Sequence, residues 1–325
     1  MVRTPVVPAS RPAHLPSFLM PAVIAERLLL LLVAGTALAP MLACATENGT
    51  TAFPNGGEDF LVAAMPPPGW YGILYLNRYS ASEVMDDSGR MAVSGFDLQV
   101  GAVTPRLDWV KPVSVLGADR WGTLLVMPWL DLDLQVEPVP SVQVRGSERG
   151  FGDLTIGNGL HWTLGKFEMV NAVDIVVPVG KYDSEALVNP GRNQWVIRLN
   201  HMGTLFPSSH WDFSYRLHWD YNFRNEATDY LSGQTVYLNW AVGWKPVPTT
   251  TIGLVGFFLR QITDDEAGSQ GGPPDGNRLR ASGIGPVLKY AAPHGVMYTV
   301  KYFRDFDVRN RPEGEQLWVY GAFRF

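Results

Sequence analysis

The sequence has few of the features that stabilise small exported proteins or form helical membrane proteins. It contains one cysteine, Cys44, so no disulfide can form within the chain. Charged residues make up only 18% of it, below the roughly 25% typical of soluble domains. After residue 45, no run of about 18 apolar residues occurs, which excludes membrane-spanning helices there. The net charge of −5 gives no reason to expect nucleic acid as a partner.

The one long apolar run lies near the N-terminus, where Arg27 is followed by LLLLLVAGTALAPMLACA, ending at Ala45. A basic residue, an apolar stretch and small residues at its end predict a secretory signal peptide over residues 1–45, with Met20 as an alternative start. A retained anchor helix and lipidation of Cys44 are alternatives. Cleavage after Ala45 would remove the only cysteine, so we expect no disulfide and no thiol chemistry in the exported chain.

One segment alternates strictly between apolar and polar residues. In HWDFSYRLHWDYNFR, residues 210–224, every odd position holds an aromatic residue or leucine, and every even position a polar one. A helix would spread these charges over all its faces, so the period of two predicts a strand. Rings at both ends of the apolar face are typical of a transmembrane β-strand. We assign to this aromatic, lipid-facing surface Trp211, Phe213, Trp219, Tyr221 and Phe223, with Trp240 and Trp244 from a similar segment.

Weaker versions of this pattern bring the count of expected strands to twelve. They are placed near residues 70–80, 92–104, 121–136, 152–164, 166–178, 193–206, 210–224, 234–246, 250–263, 279–291, 295–306 and 315–325. The predicted connections alternate between long charged loops, such as residues 137–150 and 305–314, and short turns such as PSSH. Outer-membrane barrels show this asymmetry, with the short turns in the periplasm.

The sequence therefore predicts an all-β fold, a transmembrane antiparallel β-barrel of about 12 strands over residues 69–325, with both termini periplasmic. Hydrocarbon cannot satisfy an open sheet edge, so the last strand must pair with the first. The C-terminal stretch LWVYGAFRF would be that closing strand. We interpret Phe323 and Phe325 as the aromatic signal that the barrel-assembly machinery reads.

Several motifs resemble those of the outer-membrane barrel family named for the MetA pathway of phenol degradation. They are PPPGWY, GFGDLTIGNGLHW, VPVGKYDSEALVNPGRNQW, NEATDYLSGQ, QITDDEAGS, GIGPVLKY and VRNRPEG, which together extend over most of the chain after residue 65. The resemblance implies a location in the cell outer membrane, in contact with lipid and lipopolysaccharide. It also implies passage of small hydrophobic or aromatic molecules, in association with the breakdown of phenols.

A barrel of twelve strands lies between small barrels filled by side chains and wide aqueous pores, so we expect a narrow or partly plugged lumen. The candidate lumen-lining residues are of mixed charge: Asp131, Asp133, Arg198, Arg216, His218, Asp220 and Arg224. Such charges could orient a polar solute. The alternative is that they are ion pairs that brace the barrel wall.

The stretch before the first strand, residues 46–68, has two interpretations. It contains an apolar piece ended by three prolines, which cannot continue a helix. One hypothesis is that it folds into the lumen as a hatch, with Phe60, Leu61 and Met65 against a hydrophobic ligand site. The alternative is a disordered periplasmic tail.

Other classes of function find little support in the sequence. No GxSxG motif and no outward serine–histidine pair occurs, so we predict no enzyme, no catalytic residue, no cofactor and no metal. A structural or partner-anchoring barrel with a plugged lumen remains an alternative to the channel. An outer-membrane lipid hydrolase is a weaker one.

Overall fold

The computed structural model describes residues 49–266 and 278–325. The predicted signal peptide, with Met20 and Cys44, lies outside the described residues. The fourteen described strands are β1 (Gly69–Met85), β2 (Ser94–Val115), β3 (Ala118–Val126), β4 (Trp129–Val139), β5 (Val142–Phe151), β6 (Leu154–Leu164), β7 (Phe167–Val177), β8 (Val196–Ser208), β9 (Trp211–Asn222), β10 (Thr235–Val247), β11 (Thr250–Gln261), β12 (Arg280–Ala291), β13 (Met297–Arg309) and β14 (Arg311–Arg324). The described part of the chain contains no helix with the length and hydropathy needed to span a bilayer.

The fourteen strands form a closed antiparallel barrel with twelve positions in its wall. Strands β3 and β4 pair with successive parts of the same long strand, β2, and are interrupted at Met127-Pro128. Strands β5 and β6 continue one another in the same way and pair with β4 and β3. Proline has no N–H to donate to a ladder, so Pro128 explains the break. Each of these two pairs fills one position in the wall, so the predicted twelve-strand barrel is confirmed.

Pairing of β1 with β14 closes the barrel. Its register runs from Tyr71 opposite Arg324 to Met85 opposite Arg311, and β1 pairs with β2 along its other edge. Both ends of the β-barrel chain, at Gly69 and Arg324, therefore lie at one end of the barrel. The tight turns after β2, β6, β8 and β10 lie at this end, which we call the turn end. The long connections 178–195 and 223–234 lie at the other end, the loop end, where β11 also ends and β12 begins.

The burial pattern of the wall is the reverse of that in a soluble protein. In β9 the rings of Trp211 and Phe213 are exposed on the outer face, whereas Asp212 and His218 are 0% and 1% exposed. Apolar side chains on the outside and charges within are what a membrane-spanning barrel requires, because lipid surrounds the outer face.

Three predicted connections are strand instead. Residues 111–120 fall between two predicted strands but belong to β2 and β3. The chain turns between these strands at Leu116-Gly117, both with positive φ, as a two-residue hairpin turn requires. The predicted long loop 137–150 is mostly the β4–β5 hairpin, which turns at Pro140-Ser141. The predicted long loop 305–314 is the β13–β14 hairpin, which turns at Asn310, another residue with positive φ. These strands extend beyond the apolar band, so the alternation of hydrophobic residues that marks a membrane strand fades before the strand ends.

Candidate functional site

Residues 49–68, which we call the lumen segment, lie inside the barrel. Phe53, Phe60 and Ala63 are at most 8% exposed, and the two phenylalanines pack in one hydrophobic cluster with inward residues of strands β10 to β14. The segment runs along the lumen from Asn55, beside Arg311 at the loop end, to Met65, beside Arg120 at the turn end. It therefore occupies the space that a solute would need to cross.

Two adjacent carboxylates of the lumen segment bind cations of the wall. Glu58 forms an ion pair with Arg216 of β9. Asp59 accepts a hydrogen bond of 2.8 Å from Lys289 of β12 and a bond from the hydroxyl of Tyr320, and it lies 4.0 Å from the ammonium of Lys301. We call Glu58 and Asp59 the acidic latch.

Glu58 is held in its charged form. Burial alone would raise the pKa of Glu58, but the nearby positive charges of Arg216, Arg106 and Lys301 outweigh it and hold that pKa below its usual value of 4.5. The contact between Glu58 and Arg216 is therefore an ion pair at neutral pH.

The backbone of the lumen segment is held by polar side chains of the wall. The N–H of Leu61 donates to Ser214 over 2.9 Å, and that of Ala63 donates to Thr204 over 3.1 Å. The ammonium of Lys301 donates to the carbonyls of Gly57 and Glu58, both at 3.0 Å. Buried backbone groups need such partners, and here the wall supplies them. The conformation of the segment is thus specified by the barrel around it.

The three predicted hatch residues all lie in the lumen. Phe60 is 3% exposed and packs near Lys289, whose ammonium lies 5.8 Å from the ring centroid. Leu61 packs against the main hydrophobic cluster, and Met65 against a smaller one formed by Ala63, Val170 and Met202. Whether these side chains contact a ligand stays a prediction.

Four of the seven predicted lumen-lining residues are brought together on β8 and β9. Arg198 binds Asp220 through two hydrogen bonds of 2.6 and 2.8 Å. Arg216 donates to Asp174 of β7 over 3.0 Å, in addition to its contact with Glu58. His218 stacks on Tyr237 with a centroid distance of 5.0 Å. We call this inner surface of β7, β8 and β9 the charged arc.

Asp131 and Asp133 do not line the lumen, which corrects the prediction. On β4 the buried positions are Leu132 and Leu134, so the two aspartates point outward, where they pair with Arg149 and Arg145. The β4–β5 hairpin lies toward the loop end, and its own outer face carries these charged pairs. The same alternation therefore turns its apolar side inward.

Arg224 is also misplaced by the sequence pattern. Strand β9 ends at Asn222, and Arg224 lies in the following loop, where it pairs with Asp229 and Glu266. The alternation in the sequence continues two residues beyond the last ladder pair, which made the strand look longer than it is.

The predicted aromatic surface lies on the outer face. Trp211, Phe213, Trp219, Tyr221, Phe223 and Trp244 are each 40–45% exposed. Trp240 shares that face and is partly covered, because it packs over Gly256. Phe323 and Phe325 are exposed at the end of β14, with their rings 5.1 Å apart.

A small polar network lies on the outer face, between the aromatic residues at the two ends of the apolar surface. His201 of β8 contacts the amide oxygen of Asn171 at 2.8 Å and the hydroxyl of Tyr215 at 2.9 Å. Polar groups in an apolar layer are costly unless they bind one another, and these do. The contacts account for the placement of His201 without a catalytic role.

The lumen segment does not fill the barrel completely. A cavity of about 310 Å³ remains between it and the wall formed by β1, β2, β3 and β6, lined by Tyr71, Ile73, Arg106 and Leu124 among others. A smaller space of about 100 Å³ lies next to Phe53 and Glu58, beside Tyr75 and Trp318. The unfilled part of the lumen is therefore lined by both aromatic and charged side chains.

Sequence reasoning missed several residues of this site. Phe53, Glu58 and Asp59 belong to residues 46–68 but precede the apolar piece from which the hatch residues were predicted. Lys289 and Lys301 lie on strands with a weak alternation. The sequence holds one signal: each lysine lies two residues from an apolar residue, Val287 or Phe303, and the structure buries both of these on the inner face. Within the described residues, no group of three or more histidine, cysteine, aspartate or glutamate side chains is arranged to hold a metal ion.

An apolar outer face, a charged inner face and a closed sheet define a membrane-spanning β-barrel of the outer-membrane type. The chain belongs to the family described as "Putative MetA-pathway of phenol degradation", whose model matches residues 81–320. The COG4313 outer membrane channel from Pseudomonas putida F1 is similar in structure, with a TM-score of 0.73 at 16% identity, over 84% of this chain and 100% of that one.

Another similar structure is the CymD monoaromatic hydrocarbon channel, with a TM-score of 0.42 at 11% identity, over 88% of this chain and 98% of that one. Comparison with curated protein sequences gives no significant match. At 16% identity the COG4313 channel supports the fold alone, and the function has to be argued from the lumen.

Proposed function

We propose that this protein is an outer-membrane channel for small aromatic molecules, in which the lumen segment is the gate. The observation that carries the proposal is the ion pairing of Glu58 and Asp59 with wall cations across the lumen. These bonds hold the segment in the path of a solute, and each can be replaced by water or by another anion. The family's association with phenol degradation and the ring-lined cavity support aromatic solutes.

The orientation and the partners follow from the same proposal. The turn end, with both ends of the barrel chain, would face the periplasm, and the loop end would face the lipopolysaccharide surface. Phe323 and Phe325 lie exposed on the closing strand. This position suits their proposed recognition by the barrel-assembly machinery.

Conductance of single channels in planar bilayers tests the gate. Deletion of residues 49–64 should raise the conductance severalfold, because it empties the lumen. The double variant Glu58→Gln/Asp59→Asn should raise the fraction of time spent open, because it removes the charges that bind the wall. The matched control is Asp131→Asn/Asp133→Asn, which removes two charges from the outer face of β4 and should behave as the wild type.

Unchanged conductance in the deletion variant would overturn the proposal. It would favour a structural barrel that is blocked by its own wall. Uptake of radiolabelled phenol by cells that carry the deletion variant, compared with wild type, provides a second measurement of the same claim. The expected result is faster uptake in the deletion variant.

A further inference from the structure

Two side chains of the lumen segment meet on one guanidinium group. The ring of Phe53 lies over Arg216, with its centroid 4.7 Å from the central carbon of the guanidinium, and the carboxylate of Glu58 forms an ion pair with the same group. A ring on the face of a guanidinium and a carboxylate at its edge are the two contacts that Arg makes best. Together, Phe53 and Glu58 present to Arg216 the two groups of an aromatic acid.

The wall forms a box around the ring of Phe53. The guanidinium of Arg198 lies 5.0 Å from its centroid, and His218 and Tyr237 make T-shaped contacts with it at centroid distances of 4.7 and 5.5 Å. His218 is 1% exposed, and neither of its ring nitrogens has a hydrogen-bond partner among the described residues. The box therefore contains cations and ring faces that suit an aromatic guest, and a buried imidazole with unused polar atoms.

Two lysines of the wall find their counter-charge in the lumen segment. Among the described residues, the ion pairs of Lys289 and Lys301 are both made with Asp59. Arg216 would keep Asp174 if the segment left, but it would lose Glu58. Buried cations without a counter-charge are unfavourable, so the open lumen should attract an anion.

We propose that the surface around Arg216 is a binding site for aromatic carboxylates, and that Phe53 and Glu58 occupy it as an internal substitute for the solute. The inference rests on the proposed function, since it requires the lumen segment to leave the wall. An aromatic acid competes with the segment for the same contacts and releases it. A neutral phenol would fill the ring box, but it would not replace the charge that Glu58 places on Arg216, so it should compete poorly.

Calorimetric titration of the purified barrel in detergent tests the binding site, with 3-phenylpropanoate as the probe. Without residues 49–64 the site is unoccupied by the segment, so this variant should bind the probe at least about tenfold more tightly than wild type. Phe53→Ala should give an intermediate affinity, because it removes one of the two competing groups. Phe151→Ala, on the exposed β4–β5 hairpin, is the control and should match wild type.

Two further comparisons identify the chemistry that is recognised. The neutral 3-phenylpropanol and the aliphatic hexanoate should each bind the deletion variant at least about tenfold more weakly than 3-phenylpropanoate. In the deletion variant, Arg216→Lys should lower the affinity for 3-phenylpropanoate by about tenfold, because lysine keeps the charge but lacks the planar face. Arg149→Lys, on the outer face of β5, is the control and should leave the affinity for 3-phenylpropanoate unchanged.

Equal affinity of the deletion variant for the acid and the alcohol would overturn the assignment of a carboxylate. Equal affinity of wild type and the deletion variant for the acid would overturn the idea of an internal substitute. The conductance of the deletion variant distinguishes a failure of the proposed binding site from a failure of the proposed gate. A raised conductance without binding refutes only the site, whereas binding with unchanged conductance refutes only the gate.

Discussion

Strands β9 and β4 carry the same alternation of apolar and acidic residues but present it in opposite directions. In β9, Asp212 and Asp220 face the lumen and the rings face outward. In β4, Leu132 and Leu134 face inward, and Asp131 and Asp133 face outward. The difference shows that an alternating pattern identifies a strand but not its polarity. What surrounds the outer face at that height, lipid or water, decides which side turns inward.

The ion pairs of the two regions differ in the same way. Arg216 and Asp174 are 5% and 2% exposed, whereas the side chain of Arg149 is 72% exposed. A buried pair leaves an uncompensated charge when one partner is removed, while an exposed pair leaves two groups that water can solvate. The ion pair between Arg216 and Glu58, which joins the wall to the lumen segment, is of the first kind.

The largest expected effect comes from removing a buried cation. Arg216→Ala should lower the free energy of unfolding by about 3–5 kcal/mol, because Asp174 and Glu58 would be left buried without their partner. Arg149→Ala should cost about 0–1 kcal/mol. Urea-induced unfolding in lipid vesicles, followed by tryptophan fluorescence, measures both. Equal costs would show that the charged arc is open to water.

A charge placed on the outer face should lower stability where that face meets lipid and have little effect where it meets water. Leu217→Arg in β9 should cost about 2–4 kcal/mol, because it puts a charge among the lipid-facing residues. Gln135→Arg on the outward face of β4 should cost less than about 0.5 kcal/mol, since that position meets water. The same unfolding measurement applies. A large cost at both positions would place the β4–β5 hairpin inside the membrane.

Loss of one hydrogen bond to the lumen segment should have a smaller effect, confined to gating. Ser214→Ala removes the acceptor for the N–H of Leu61, at a cost of about 1 kcal/mol. Openings in planar bilayers should then become about fivefold more frequent. Ser147→Ala, on the β4–β5 hairpin, is the control and should leave the opening frequency at the wild-type value. An unchanged frequency in Ser214→Ala would mean that this bond does not hold the closed state.

Acid should have the smallest effect on channel opening near neutral pH, because Glu58, through which it acts, takes up a proton only at low pH. Its pKa is lowered in the folded protein, so the stabilisation by its ion pair is complete above pH 4.5 and is lost as the pH falls below that value. Channel openings should increase on acidification below pH 4.5. In Glu58→Gln the increase should be reduced. An increase that sets in near neutral pH would point to a group other than Glu58.

Much of the fold could be predicted, because period-two alternation is a direct consequence of a strand with one wet and one apolar face. The strand count and the barrel class are confirmed by the described residues. The extent of β4, β5 and β13 could not be predicted, since those strands leave the apolar band and lose the contrast between their faces. Asp131 and Asp133 were misassigned because an alternating pattern does not give the polarity of its strand, and Arg224 because the alternation continues beyond the end of β9.

The site was predictable only in part. Arg198, Arg216, His218 and Asp220 lie on a strand pair with a clear pattern, so their shared inner face could be read from the sequence. The roles of Phe53, Glu58 and Asp59 depend on which wall cations they reach, and those cations come from β9, β12 and β13. Such long-range contacts leave no trace in local spacing.

Fixing the lumen segment to the wall tests the gate most directly. Ala63 and Thr204 are in contact through a hydrogen bond of 3.1 Å, so Ala63→Cys/Thr204→Cys should form a disulfide, in a background with Cys44→Ser and Glu58→Gln/Asp59→Asn. We expect single-channel openings to be absent while the disulfide is intact and to return after reduction. Openings of equal frequency and size before and after reduction would contradict a gate formed by this segment.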